Sequence, residues 1–314
     1  MRQQHTIGQS ITCSGVGLHT GHPVTLTLRP APPDTGIMFV RHEVDGPVSL
    51  GASISNLVPT ELCTAISANG TYVKTVEHVL SALVGLEVDN VYVELDAGEV
   101  PVMDGSAGPF VRLIRAAGIV AQERRRPFLK ITQPIEVTDG GRRVVIEPAS
   151  STRITYSIQY DHPLIQKQTY TYDWSVSRFE QDIADARTFG FLKEIKNLWS
   201  RGLGRGGSLE NTVVLSEQDV LNESGLRFQD EFVRHKILDL IGDLALLGTP
   251  FIGHLIADCS GHALHTKLVE KVLEQTDKWV LLSADAEPVG AQSRPTRTSY
   301  GLAQNASLPV SSPF

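Results

Sequence analysis

Apolar and polar residues alternate in the first hundred positions, a pattern typical of β-strands with one buried face. In PVTLTLRPA (residues 23–31), Val24, Leu26 and Leu28 alternate with threonines and an arginine. The stretch DNVYVELDAGEVP (89–101) repeats this alternation. Both stretches predict strands of an N-terminal sheet, and the glycine-rich GVGLHTGH (15–22) predicts a turn before the first.

Helical spacing of apolar residues appears in four other stretches. TVEHVLSALVGL predicts a helix with Thr75 as N-cap and Gly85 at its end. DGSAGPFVRLIRAAGIV predicts a second helix that Ser106 caps. A third helix-like stretch is FEQDIADARTF (179–189), and a fourth helix is predicted over about residues 228–247.

The order of these elements predicts the fold class. The charged stretch QERRRP (122–127) interrupts the pattern, which then restarts with strands followed by helices. We therefore expect an α+β protein with two domains of related topology, at residues 1–124 and 125–287. The polar segment 288–314, rich in proline and serine, is predicted to be a disordered tail.

Composition narrows the class of function. The formal net charge of −7 gives no basic footprint for nucleic acid. No secretory signal is recognisable at the N-terminus, and no apolar run approaches the roughly 20 residues of a transmembrane helix. Three widely spaced cysteines suit reduced thiols. We expect a cytoplasmic monomer, since no feature of the sequence demands an oligomer.

One apolar stretch, RHKILDLIGD (234–243), carries an unusual stripe of polar residues. His235, Asp239 and Asp243 follow one another at intervals of four, so they lie on one face of a helix. A buried carboxylate needs a partner, and a metal ion would be one. His and Asp at i, i+4 form a chelating pair on a helix. Ion pairs with arginines on a solvated face would explain the aspartates equally well.

Three further motifs carry candidate chemistry. Glu77 and His78 in TVEHV can flank and bind a metal, or be a dipole-favouring glutamate and a half-buried histidine. His262 in DCSGHALH can be a general acid or a loop residue bonded to backbone. Thr188 in ARTFGF can donate a hydroxyl hydrogen bond. None of these motifs is informative in isolation.

Taken together, the motifs resemble the family of bacterial UDP-3-O-acyl-N-acetylglucosamine deacetylases. The matching stretches run in order from about residue 5 to 275: GVGLHTG, VTLTLRPAPPDTGI, TVEHVLSAL, MDGSAGPFV, ARTFGF, SRGL, VLNESGLRFQDEFVRHKILDLIGDLALLG and SGHAL. The resemblance implies a zinc-dependent hydrolase that removes the N-acetyl group from UDP-3-O-(3-hydroxyacyl)-N-acetylglucosamine. This hydrolysis releases acetate in the committed step of lipid A biosynthesis.

By position, the resemblance implies that His78, His235 and Asp239 are the zinc ligands and that Glu77 is the general base. Three protein ligands leave a fourth zinc position for water, as catalytic sites require. Iron(II) accepts the same ligands. A fourth protein ligand would instead indicate a non-enzymatic metal-binding protein, and Cys63 in TELCTAI is the candidate.

The resemblance also assigns the remaining catalytic roles. His262 becomes a general acid or electrostatic stabiliser that Asp243 orients, and Thr188 becomes the oxyanion donor. Lys236 faces the substrate, where a cation suits the diphosphate. A different zinc hydrolase, such as a peptidase, stays open as an alternative, as does a general sugar-nucleotide deacetylase.

The implied fold places two sandwiches of sheet and helices around an active site at the domain interface. A small β-α-β insert at about residues 190–215 would form a passage for the acyl chain. Phe189, Leu198 and Leu203 are the expected substrate-binding residues there. A mobile flap that packs its own apolar residues would explain the composition of the segment almost as well.

Overall fold

The structure, a computed structural model, describes residues 2–282. Its strands are β1 (Gln3–Ile7), β2 (Ile11–Val16), β3 (Pro23–Pro30), β4 (Ile37–Glu43), β5 (Gly46–Gly51), β6 (Leu57–Val58), β7 (Ala65–Ala68), β8 (Thr71–Lys74), β9 (Val91–Leu95), β10 (Ile119–Arg125), β11 (Phe128–Ile131), β12 (Ile135–Asp139), β13 (Arg142–Glu147), β14 (Arg153–Tyr160), β15 (Gln166–Asp173), β16 (Phe189–Phe191), β17 (Val213–Leu215), β18 (Phe251–Ile252), β19 (His254–Asp258) and β20 (Trp279–Leu282). Its α-helices are α1 (Glu77–Gly85), α2 (Gly108–Ala117), α3 (Val176–Arg178), α4 (Ile195–Ser200), α5 (Glu231–Leu244) and α6 (His262–Glu274).

Two five-stranded sheets with the same topology form the framework. The N-terminal sheet has the order β2-β3-β9-β4-β5, and the C-terminal sheet has the order β12-β13-β19-β14-β15. In each sheet the third and fourth strands of this order run parallel to each other. These are β9 and β4 in the N-terminal sheet and β19 and β14 in the C-terminal sheet. The other neighbouring strands are antiparallel in both sheets. The prediction of an α+β fold with two halves of related topology is therefore confirmed.

Burial follows the alternation seen in the sequence. On β3 the side chains of Val24, Leu26 and Leu28 are at most 3% exposed, while the intervening threonines are half-buried. On β14 the buried residues are Ile154, Tyr156 and Ile158. Since the polar positions of both strands face outwards, each sheet buries one face against the helices.

Helices from the two halves of the chain pack against each other. Helix α1 lies along α5, and α5 also contacts α6 and strands β14 and β15. Gly242 of α5 makes this approach possible, because a Cβ atom there would lie 2.1 Å from the carbonyl oxygen of Glu77. The first helical turn of α1 is therefore held directly against the last turn of α5, the longest helix.

Several predicted boundaries are wrong. Helix α1 begins at Glu77 after Val76, and Thr75 does not cap it. Thr75 adopts a φ of 57° and donates its hydroxyl to Glu99 instead, at 2.9 Å. The stretch predicted as helical over 179–189 forms only a π-helical turn, Phe179–Ile183, which continues directly from the short α3 before it. Each central strand, β9 or β19, also follows a helix, so strands do not all precede helices.

The charged stretch 122–127 is not an open linker. Residues up to Arg125 belong to β10, which pairs antiparallel with β1. The boundary between domains at residues 124 and 125 stays a prediction, because both halves belong to one compact unit. The predicted disordered tail, 288–314, lies outside the described residues.

Small additional sheets accompany the two large ones. In the first half β6, β7 and β8 form an antiparallel sheet between residues 57 and 74. In the second half β16 and β17 pair in parallel, with α4 between them in sequence, which makes a β-α-β unit. Within residues 2–282 no helix combines the length and apolar character that spanning a lipid bilayer requires.

Candidate active site

Helices α1 and α5 bring three ligand-type side chains together in the protein interior. His78 Nε2 lies 3.6 Å from Asp239 Oδ1, and His235 Nε2 lies 3.2 Å from the same oxygen. All three residues are at most 3% exposed. The candidate ligand atoms lie within 4.8 Å of one another, so one ion could contact all of them.

The chemistry of this cluster fits a divalent metal ion. His235 Nδ1 lies 3.1 Å from the carbonyl oxygen of Ala186, a contact that puts the ring proton on Nδ1 and leaves the Nε2 lone pair free. Burial lowers the pKa of His235 to about 3, so the imidazole is neutral, the form that binds metals. Burial raises the pKa of Asp239, but the nearby His235 and Lys236 outweigh it and hold that pKa well below its usual range.

Lys236 lies against the other oxygen of the same carboxylate. Its Nζ donates to Asp239 Oδ2 at 2.6 Å, and its side chain is 18% exposed. Asp239 thus directs one oxygen towards the imidazoles and the other towards an ammonium group. The predicted contact between Lys236 and a substrate diphosphate stays a prediction.

Glu77 lies beside this cluster at the first position of α1. Its side chain is buried, and the backbone N–H of Thr64 donates to Oε2 at 3.0 Å. Burial raises the pKa of Glu77 to about 7, mainly because few solvent dipoles stabilise its charged form. A carboxyl group with this pKa near neutral pH is suited to accept and return a proton.

A second cluster adjoins the first around Asp243. His262 Nδ1 and His265 Nδ1 each lie 2.7 Å from Asp243 Oδ2. The hydroxyl of Thr64 donates to Asp243 Oδ1 at 2.5 Å. His262 Nε2 lies 4.0 Å from Asp239 Oδ2, so the two clusters face each other across a short gap.

Charge explains the protonation of this second cluster. Burial alone would lower the pKa of His262, but Asp243 raises it to about 9. Burial raises the pKa of Asp243, yet the charge and hydrogen bond of His262 outweigh it and place that pKa far below its usual range. His262 is therefore a cation at neutral pH, paired with an anionic Asp243.

The other predicted residues lie along the segment after Ala186. Thr188 is half-buried, and its backbone bonds Gly105 and Val213, each at 2.8 Å. The Phe189 ring lies 6.4 Å from the His235 ring and 5.0 Å from the Phe232 ring, measured between centroids.

Leu198 and Leu203 lie in and just after α4, and both are half-buried. The N–H of Leu203 donates to the carbonyl of Leu198 at 2.9 Å. Leu203 also lines a cavity of about 400 Å³ together with His19, Cys63 and Lys74.

Cys63 does not join the candidate ligands. It is buried, and burial raises the pKa of its thiol to about 12, which disfavours the thiolate that binds metals. Among the described residues, the group around Asp239 consists of His78, His235 and Asp239. The alternative of a site closed by a fourth protein ligand at Cys63 therefore has no support in the geometry.

Three residues around the site were missed in the sequence. Thr64 and His265 both contact Asp243, and Glu231 holds the segment that contains Thr188. Arg187 donates from its backbone N–H and from Nε to Glu231 Oε1, at 3.0 and 2.8 Å. The i, i+3 spacing of His262 and His265 could have indicated His265, whereas Thr64 has no recognisable motif.

Comparison with known proteins agrees with this geometry. The profile of the UDP-3-O-acyl N-acetylglycosamine deacetylase family (LpxC) matches residues 4–274. The chain is 48% identical over 281 residues to the UDP-3-O-acyl-N-acetylglucosamine deacetylase of Myxococcus xanthus, with 90% of each chain covered. It is 47% identical over 296 residues to the protein of the same name in Syntrophotalea carbinolica, covering 93% of this chain and 95% of the relative. The resemblance inferred from the motifs is thereby confirmed.

Proposed function

The chain belongs to the UDP-3-O-acyl N-acetylglycosamine deacetylase family, and on this basis we propose that it hydrolyses the acetamide of UDP-3-O-(3-hydroxyacyl)-N-acetylglucosamine. The products would be acetate and the free amine, in the committed step of lipid A biosynthesis. The observation that supports this proposal most strongly is the buried triad of His78, His235 and Asp239, with Glu77 and His262 beside it.

The metal in this proposal is zinc, held by His78 Nε2, His235 Nε2 and Asp239. When bound there, zinc supplies a Lewis acid that activates water and polarises the acetamide carbonyl. Two imidazoles and one carboxylate are a ligand set of catalytic zinc sites, and iron(II) accepts the same set.

Glu77 acts as the general base in this scheme. Its carboxylate takes a proton from the attacking water, and the hydrogen bond from Thr64 N–H holds the carboxylate in place meanwhile. Burial supports this role, since it brings the pKa of Glu77 to about 7.

His262 protonates the leaving amine. An amine is a poor leaving group until it is protonated, and His262 carries a proton at neutral pH because Asp243 stabilises its cation. The hydroxyl of Thr188 donates to the oxyanion that forms when the carbonyl is attacked. Lys236 contributes a positive charge for the substrate diphosphate.

The acyl chain lies along the β-α-β unit of β16, α4 and β17. Phe189, Leu198 and Leu203 supply apolar surface to it. Of these, Leu203 lines the cavity of about 400 Å³, whose wall also carries the charged Lys74 and Arg201. A buried methylene contributes roughly 0.8 kcal/mol of transfer free energy, part of which is offset by ordering of the chain.

Acetate release from matched substrates tests the proposal. We expect kcat/KM for UDP-N-acetylglucosamine to be lower than for the acylated substrate by roughly 10³-fold or more, because binding of the acyl chain lowers the barrier. The substitution Leu203→Asp should penalise only the acylated substrate. The control Val44→Asp adds the same charge at a fully exposed position and should change neither rate.

The runner-up function is a general sugar-nucleotide deacetylase or another zinc amidohydrolase. Comparable kcat/KM for the acylated and bare sugar nucleotides would favour it over the proposed function. A cytoplasmic location and a monomeric state remain predictions from the sequence.

A further inference from the structure

His265 and His262 contact the same oxygen of Asp243, but the two rings differ in their exposure. Both Nδ1 atoms lie 2.7 Å from Asp243 Oδ2, but the His262 side chain is 18% exposed and that of His265 is fully buried. His262 can therefore reach a substrate, whereas His265 faces only protein.

The surroundings of His265 fix its tautomer. Ser260 Oγ lies 2.9 Å from His265 Nε2, and Tyr156 Oη donates to the backbone carbonyl of Ser260 at 2.8 Å. Since the contact with Asp243 needs a proton on Nδ1, the Nε2 of a neutral His265 is an acceptor. The Ser260 hydroxyl, which also lies 3.0 Å from Tyr156 Oη, is a donor within reach of it. Burial lowers the pKa of His265, which favours this neutral form.

The distances do not suit a second metal ion between these side chains. Ligand atoms around a tetrahedral zinc, with bonds of about 2.0 Å, lie about 3.3 Å apart. Both nitrogen–oxygen distances at Asp243 are 2.7 Å, the length of a charge-assisted hydrogen bond. The cluster of Asp243, His262 and His265 is thus a hydrogen-bonded network.

Asp243 is consequently anchored at both oxygens by groups other than His262. The Thr64 hydroxyl donates to Oδ1, and His265 Nδ1–H donates to Oδ2. We propose that His265 is a positioning residue, which holds Asp243 so that the carboxylate fixes the His262 ring towards the reacting amine. This inference rests on the proposed function, in which His262 delivers the proton.

Two substitutions of similar size separate the two nitrogens of His265. In His265→Asn the amide nitrogen takes the place of Nδ1 and can still donate to Asp243. In His265→Gln the amide reaches the place of Nε2, beside Ser260, and leaves Asp243 without this donor. Both variants are neutral and polar, so a loss of packing alone affects them alike.

We expect His265→Asn to keep kcat within about threefold of the unmodified enzyme. His265→Gln should lose about 10–100-fold in kcat, the usual cost of removing an orienting partner, with unchanged KM and metal content. Equal kcat in the two variants would overturn the proposal. If the unmodified enzyme releases no acetate, the proposed function itself is contradicted. Failure of the positioning role and failure of the proposed function are therefore distinguishable.

NMR spectra of the histidine rings test the positioning role of His265 independently, without substrate. In protein labelled with ¹⁵N-histidine, the ring nitrogens of His265 should report a neutral Nδ1–H tautomer at pH 7. In His265→Asn, the His262 ring should keep its Nδ1–H resonance, while in His265→Gln that resonance should shift or broaden. A cationic or Nε2–H ring at His265, or an unchanged His262 resonance in both variants, would refute the positioning role.

Discussion

At the scale of single residues, Asp239 and Asp243 lie one turn apart on α5 and have different partners. Asp239 faces two imidazole Nε2 atoms and the Lys236 ammonium, while Asp243 accepts hydrogen bonds from Thr64, His262 and His265. Both carboxylates are buried and charged, so each needs compensation by its neighbours. In the proposed function, the same residue type serves as a metal ligand at Asp239 and as an orienting group at Asp243.

The substitution Glu77→Gln tests the separation of base from ligand. The amide oxygen can still accept from Thr64 N–H, so the fold and the metal should remain. Without a carboxylate to accept the water proton, kcat should fall about 10²–10⁴-fold. Metal content by elemental analysis, measured beside kcat, checks this; loss of the metal would make Glu77 a ligand.

The sequence predicts part of the site because helical spacing is local. His235 and Asp239 stand four residues apart, and that interval alone places them on one face of α5. Thr64 could not be predicted, since it meets Asp243 across 179 residues of sequence. Contacts of this kind depend on how α1, α5 and the sheet of β6–β8 pack, and no local pattern encodes that packing.

At the scale of elements, the predictions succeed where burial is periodic and fail where tertiary contacts override local preference. Strand β3 was predicted from its alternation, and its buried positions are the predicted ones. Thr75 was predicted to cap α1, but its hydroxyl bonds the buried Glu99 instead. The order of strands in each sheet was beyond prediction, because β9 and β19 insert between strands that precede them in sequence.

A buried ion pair holds the segment before β16 against α5. This pair gives a prediction at the scale of elements. Glu231 of α5 is fully buried and accepts from Arg187, whose neighbours Ala186 and Thr188 belong to the site. The substitution Glu231→Gln removes one charge and leaves Arg187 without its charged partner, while Arg187 Nη2 still donates to the Gly225 carbonyl at 2.7 Å. We expect a loss of about 3–5 kcal/mol in the free energy of unfolding.

An exposed pair supplies the matched control. Arg115 and Glu180 form two hydrogen bonds of comparable length, at 2.7 and 3.0 Å, but both side chains are partly exposed. Glu180→Gln should therefore cost at most about 1 kcal/mol. Urea unfolding of both variants measures the difference, and equal losses would refute the role given to burial.

At the scale of the whole molecule, the site is assembled from both halves. Helix α1 supplies Glu77 and His78 from the first half, while α5 and α6 supply His235, Asp239, Asp243 and His262 from the second. In the proposed function, close contact between α1 and α5 is therefore a condition of activity. The two halves are also linked at the surface, where Arg227 donates to Asp104 at 3.0 Å.

This surface link predicts a pH dependence of stability. Burial raises the pKa of Asp104, but hydrogen bonds from Ser106 and the charge of Arg227 outweigh it and lower that pKa. A lowered folded-state pKa stabilises the protein above the unfolded value of about 3.9 and loses this effect as the pH falls. Asp104→Asn should cost roughly 1–2 kcal/mol at pH 7 and progressively less below about pH 4. Urea unfolding at several pH values checks this, and a pH-independent difference would contradict it.

The central claim is that the buried triad holds a metal on which deacetylation depends, and metal restoration tests it most directly. Purified protein is stripped with a chelator, and acetate release from the acylated substrate is followed while Zn²⁺ is added back. We predict negligible release without metal and full release at about one ion per chain, since one three-ligand site is proposed. The folded Asp239→Ala variant should neither retain the ion nor recover activity. Full acetate release from metal-free protein, or a full complement of metal in Asp239→Ala, would contradict the account.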